Sequence, residues 1–173
     1  MIGRALALLA VALLGACTTP PPARDEAPWT SGRLSLRTEA APGQPAQSLS
    51  AAFELQGDGR GGELRLNSPL GTRIATARWA PGRATLATAE GENQFQDLEA
   101  LSLQALGQVL PLAALPDWLA GRPWAGAGHG AIEDGFEQLG WQVLLGRQAQ
   151  GWIEARRQAP PTVWVRVKLD EPK

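Results

Sequence analysis

From Leu49 to Thr88 the chain reads LSAAFELQGDGRGGELRLNSPLGTRIATARWAPGRATLAT, and the reading of this stretch decides the fold. Leu49, Ala51, Phe53 and Leu55 recur at every second position, as do Leu64 and Leu66. That period of two puts one row of side chains on a single face of an extended strand. The intervening Gly57-Asp58-Gly59-Arg60-Gly61-Gly62 is turn material, as is Pro81-Gly82, between extended segments Thr72 to Trp79 and Ala84 to Thr88. The pattern predicts an antiparallel meander with one apolar face.

The same pattern extends in both directions. Upstream, Leu34 and Leu36 are followed by the turn dipeptide Pro42-Gly43. Downstream, Phe136 to Gln138 and Trp141 to Leu145 flank Gly140, and a last pair spans Trp152 to Arg156 and Thr162 to Leu169. In that final strand Val163, Val165, Val167 and Leu169 face one way, and Trp164, Arg166 and Lys168 the other. Only the middle changes period. After Asp97, a helix-capping residue type, Leu98, Leu101, Ala105 and Leu106 follow helical spacing as far as Gly107, and beyond Pro111 come Leu112, Leu115, Trp118 and Leu119. The run from Gly121 to Gly130 reads as a mobile loop. Two short helices are too little to cover eight or nine strands with one buried face. The expected fold is therefore mainly β: a curved antiparallel sheet, or half-barrel, with helices across its open side enclosing an apolar cavity.

The chain of 173 residues suits one domain, and 16 basic against 17 acidic side chains give a net charge of −1, which argues against a general nucleic-acid binder. Residues 1–16 form a separate unit. Arg4 precedes an apolar run from Ala5 to Leu14, ended by Gly15, Ala16 and Cys17. This is the layout of a secretory signal peptide, too short to cross a bilayer of about 30 Å, which takes about 20 apolar residues. Leu14-Gly15-Ala16-Cys17 resembles the bacterial lipobox, which implies cleavage before Cys17 and acylation of its thiol and new amino terminus. Cys17 is the only cysteine of the chain, and loss of Arg4 with the leader takes the net charge to −2. Thr18 follows the cysteine where an aspartate would imply retention at the inner membrane, so the resemblance implies a lipid anchor in the outer membrane; the side is not encoded in these residues, and the periplasmic face is the expected one. Residues 17–28, TTPPPARDEAP after the cysteine, read as a Pro-rich tether, and residues 29–173 as the folded domain.

Catalytic chemistry is sparse. His129 is the only histidine and there is no G-x-S-x-G elbow, so neither a two-histidine metal site nor a serine triad is expected. Glu90, Glu92, Asp97 and Glu99 bracket a turn and a helix start, where acids cap and solvate rather than hydrolyse. No cofactor and no metal are expected. What stands out is Asn67-Ser68-Pro69-Leu70-Gly71-Thr72, a tight turn with leucine at its tip. Arg60, Arg65, Arg73, Arg78 and Arg83 surround it, opposed within residues 60–83 only by Glu63. Two readings stand: an exposed leucine ringed by arginine that meets an anionic lipid surface, with Arg65, Arg73 and Arg78 touching the headgroups, or a leucine folded back on the core.

Together these residues resemble the LolB family of outer-membrane lipoprotein receptors. The likeness rests on the lipobox; on Asn67 to Thr72; on Gly91 to Leu101; on Leu106-Gly107-Gln108-Val109-Leu110-Pro111-Leu112 with Leu115, Trp118-Leu119 and Gly121-Arg122-Pro123; and on Glu137-Gln138 with Gly140-Trp141-Gln142-Val143. The absence of tyrosine departs from the family pattern. The resemblance implies a monomer that accepts acylated lipoproteins from the periplasmic carrier LolA, holds their acyl chains in its cavity, and releases them into outer-membrane phospholipid, with Leu70 as the residue that enters the membrane. The inward positions expected to line the cavity are Leu34, Leu36, Phe53, Leu55, Leu64, Leu66, Leu106, Leu115, Trp118 and Leu119. A lipid-anchored scaffold without acyl transfer is the alternative, and a lipid-anchored hydrolase lacks a visible catalytic group.

The lipobox generates a direct expectation: labelled palmitate is incorporated by the wild type and not by Cys17→Ala, and equal labelling of both would sink the assignment. A chain beginning at Thr18 should fold and be soluble, because the tether adds nothing to a core.

Overall fold

The computed structural model describes residues 28–43 and 45–171, so the leader, Cys17 and the tether through residue 27 lie outside the described residues. In chain order the elements are β1 (Thr30–Thr38), β2 (Gln47–Gly57), β3 (Gly62–Asn67), β4 (Arg73–Ala80), β5 (Arg83–Thr88), β6 (Gly91–Phe95), α1 (Leu98–Leu106), α2 (Leu115–Leu119), β7 (His129–Ile132), β8 (Gly135–Gln138), β9 (Trp141–Leu144), β10 (Trp152–Arg157) and β11 (Val163–Leu169), with a 3-10 turn at Leu112–Ala114. All strand pairs are antiparallel, in the order β6-β5-β4-β3-β2-β1-β11-β10-β9-β8-β7. β1 pairs with both β2 and β11, so the first and last strands lie in mid-sheet and the open edges are β6 and β7. The segment joining those edges carries both helices over the concave face.

The register explains the inner face. Gly32 lies opposite Phe53, Leu34 opposite Ala51 and Leu36 opposite Leu49, while Phe53 and Leu55 meet Leu66 and Leu64 of β3. On the other flank of β1, Leu34 and Leu36 meet Val167 and Val165. A side chain at position 32 would put its Cβ 3.0 Å from the Phe53 ring and 2.3 Å from the Lys168 carbonyl oxygen, so only glycine lets the strands curl this tightly there.

The two helices follow from local signals. Asp97 caps α1 by accepting a hydrogen bond from the Ala100 amide at 2.8 Å, and Gly107 ends it in the left-handed region with φ 69°. Pro116 opens the first turn of α2, where its missing N–H costs nothing. α2 drives Trp118 into the sheet, where its ring stands edge-on to Phe136 and tilted against Trp141, each at a centroid distance of 6.3 Å. Trp118 Nε1 donates to the Gln138 side-chain oxygen at 2.8 Å.

Two strands were not expected from the sequence. β6, Gly-Glu-Asn-Gln-Phe, is exposed on both faces until Phe95 and so lacks apolar alternation. β7 begins at His129, which pairs with Gln138. The expected mobile loop therefore ends two residues earlier than read, and Gln138 fixes its remainder through the Trp124 amide and the Trp124 and Ala127 carbonyls at 2.7 to 2.9 Å. The sheet consequently has eleven strands rather than eight or nine.

Trp118→Ala removes a buried aromatic and a hydrogen bond to Gln138 together. It should lower unfolding stability by about 3–5 kcal/mol, read from urea denaturation, and a loss below 1 kcal/mol would contradict this packing.

Candidate functional site

The concave face is filled on one half and empty on the other. Under α2 the tryptophan cluster packs solidly. Under α1, Ala75 and Ala77 on β4 are too short to reach the helix, and they leave an apolar cavity of about 470 Å³. Its walls are Leu64, Leu66 and Leu86 from the sheet, Leu101, Ala105 and Leu106 from α1, and Leu112 from the 3-10 turn. Ser102 is the polar group of the wall and is satisfied internally: its hydroxyl donates to the Glu99 carbonyl and accepts from the Leu110 amide, both at 3.0 Å. The site therefore offers an apolar ligand few competing polar groups.

The rim is formed by Leu49, Arg73, Ile74, Thr88, Ala89 and Glu90. Thr88 donates to the Glu90 carboxylate at 2.6 Å, and this bond holds Glu90 below the usual carboxylate range. Arg73 and Ile74 follow directly on the turn between β3 and β4. There the Gly71 amide donates to the Ser68 carbonyl at 2.9 Å and the Ser68 amide to the Thr72 carbonyl at 2.7 Å, closing the loop under Pro69 and Leu70. Leu70 is left 95% exposed. A side chain folded back on the core is not what the turn allows.

Of the ten residues expected to line the cavity, the structure brings Leu64, Leu66 and Leu106 to it. Leu36, Phe53, Leu55, Trp118 and Leu119 are instead buried in the packed core, and Leu34 and Leu115 lie partly buried against it. The physical reason is that α2 occupies that half of the concave face with its own bulk. Leu86, Leu101, Leu112 and Ile74 were missed as cavity residues. The signal for them was the pair of short side chains at Ala75 and Ala77, facing a helix of longer ones.

The arginines around Leu70 take part in ion pairs. Arg73 pairs with Glu54 at 3.3 Å, Arg78 with Glu63 at 2.9 Å, and Arg65 with Glu63 and, at 3.8 Å, Glu54. Arg65 also lies over the Trp29 ring, 4.1 Å from its centroid. The positive excess along residues 60–83 is thus reduced by β2, whose Glu54 sits opposite Arg65 in register. Burial raises the Glu63 pKa, but hydrogen bonds from Arg65 and Arg78 outweigh it and hold the carboxyl below its ordinary range. His129 is exposed at the start of β7, and among the described residues no cluster of His, Cys, Asp or Glu is placed to hold a metal.

A curled, unclosed sheet roofed by helices over an apolar cavity, with an apolar tip beside its rim, defines a half-barrel with an apolar interior. The chain belongs to the LolB family: the family described as outer membrane lipoprotein LolB matches residues 28–169. It is 33% identical to the outer-membrane lipoprotein LolB of Bordetella petrii over 93% of this chain and 88% of the relative. It is 34% identical to that of Chromobacterium violaceum over 86% of this chain and 85% of the relative.

The Glu63 cluster makes stability pH-dependent. A carboxyl whose folded pKa is depressed contributes stability that is present above its unfolded pKa and lost as pH falls through the folded one. Acidification below the usual carboxylate range should therefore cost the wild type more melting temperature than Glu63→Gln, and equal losses would remove Glu63 from the account.

Proposed function

We propose that the chain is an outer-membrane lipoprotein, anchored through Cys17 on the periplasmic face. It accepts acylated lipoproteins from a LolA-like periplasmic carrier by taking their acyl chains into the cavity under α1, and releases them into the membrane. The observation that carries this reading is an apolar cavity whose rim continues into the turn bearing Leu70. A scaffold would gain nothing from leaving Ala75 and Ala77 under an unfilled roof.

The energetics make a protected path necessary. Three acyl chains of about fifteen methylenes each, at roughly 0.8 kcal/mol per buried methylene, would cost on the order of 36 kcal/mol to expose to water. Cargo must therefore pass directly between apolar sites. Leu70, projecting beside the rim, brings the cavity opening to the bilayer at the moment of release, and its burial in lipid contributes about 2–3 kcal/mol.

Two variants test receipt and delivery separately. Leu106→Glu places a charge in the cavity wall and should weaken binding of a fluorescent fatty acid at least tenfold, whereas unchanged binding would put the ligand elsewhere or nowhere. Leu70→Glu should fold, bind the probe and take cargo from a loaded carrier, yet fail to pass it to liposomes. Normal delivery by Leu70→Glu refutes the insertion role.

A further inference from the structure

The convex face of the sheet carries a second recess, of about 940 Å³, that shares no residue with the apolar cavity. Its floor is small and polar, with Ser35 opposite Ser50 and Ala52 opposite Arg33 in register. Its walls are Arg33, Arg166 and Lys168, Trp152 stands at one end, and the 67–71 turn closes the other. Here the cations outnumber the acids. Arg166 pairs with Glu154 at 3.0 Å, and Lys168 donates to the Gln150 carbonyl with the Trp152 ring 5.9 Å away. Arg33 is exposed and has no ion pair among the described residues. The recess thus sets three cations, Arg33, Arg166 and Lys168, against one acid, Glu154, whereas Arg65, Arg73 and Arg78 share two acids, Glu54 and Glu63.

The turn that carries Leu70 is the wall between the two recesses: Leu66 and Ile74 face the apolar one, and Ser68, Pro69 and Gly71 the basic one. When Leu70 enters hydrocarbon, whatever lies one turn away stands in the headgroup layer, roughly 5–8 Å thick. A guanidinium, an ammonium and two serine hydroxyls over a floor without long side chains present a set of donors suited to phosphate oxygens. A tryptophan at the end of such a set is placed as aromatic side chains are at membrane interfaces. We infer that the convex recess bounded by Arg33, Lys168 and the Leu70 turn seats the phosphate headgroup of an anionic phospholipid, fixing the tilt at which the cavity mouth meets the bilayer. This rests on the reading of Leu70 as the membrane-entering residue.

The test uses the chain from Thr18, which carries no acyl anchor, sedimented at constant ionic strength with vesicles of phosphatidylglycerol and phosphatidylethanolamine or of phosphatidylcholine alone. Arg33→Gln/Lys168→Gln should bind the anionic vesicles about 25-fold more weakly than wild type and the neutral ones equally, at about fivefold per basic group removed. Ser50→Glu, which puts a like charge in the floor, should act in the same direction, while Arg65→Gln/Arg78→Gln should change binding less than threefold. Equal losses in the two double variants, or none in Arg33→Gln/Lys168→Gln, overturn the assignment. So does saturable binding of inorganic phosphate at millimolar concentration, which would make free phosphate the ligand. Loss of cargo receipt from the carrier with vesicle binding intact would make the recess a protein-docking face and overturn it too. Failure of the acyl-transfer reading shows separately, as a wild type that binds anionic vesicles but no fluorescent fatty acid.

Discussion

A buried amide is the main polar anchor of this protein's roof to its sheet. Gln138 sits on β8 with its oxygen accepting from Trp118 Nε1 and the Trp124 amide, and its nitrogen donating to the Trp124 and Ala127 carbonyls. Both atoms are thereby saturated, which is the condition under which a buried polar group stabilises rather than costs. These bonds fix the far end of the helical crossover, so that α2 lies flat on the tryptophan cluster. A second anchor fixes the crossover between its two helices: Gln108 donates to Thr38 at 2.5 Å and accepts from Arg157 at 3.0 Å, and Arg157 also contacts the Val109 carbonyl. α1 precedes both anchors and spans the sheet without filling the space beneath it.

That span produces the division of labour on the concave face. Where large side chains descend from α2, the face is solid. Where α1 meets the alanines of β4, close packing fails and space remains. Water deep in an apolar void of this kind would find few hydrogen-bond partners.

Much of this was legible in the sequence, for reasons that particular residues show. The inner row Leu34, Leu36, Phe53, Leu55, Leu64 and Leu66 declares itself by parity, and Asp97 and Gly107 bracket α1 by their capping chemistry. β6 was illegible because a strand exposed on both faces has no alternation, and β7 because His-Gly-Ala-Ile is short and glycine-bearing. Parity also says which side chains point inward but not which are met by a helix, so Phe53 and Leu64 look alike until the crossover is placed. The Glu54 partners of Arg65 and Arg73 were hidden for a related reason: β2 lies outside the window over which charge was counted, and register, not sequence distance, brings them together.

The open edges of the sheet carry a consequence for life on a surface. A protein confined to a plane meets its own copies far more often than one free in solution, and an unpaired strand edge is a template for a neighbour's backbone. Here both edges are short: β6 has five residues, with Glu92 within it, and β7 has four, with Gly130 within it. Neither presents the long, flat, apolar ladder on which edge-to-edge polymerisation depends. An unclosed sheet can therefore keep the gap that its roof must span, without the crowded membrane turning that gap into a seam between molecules.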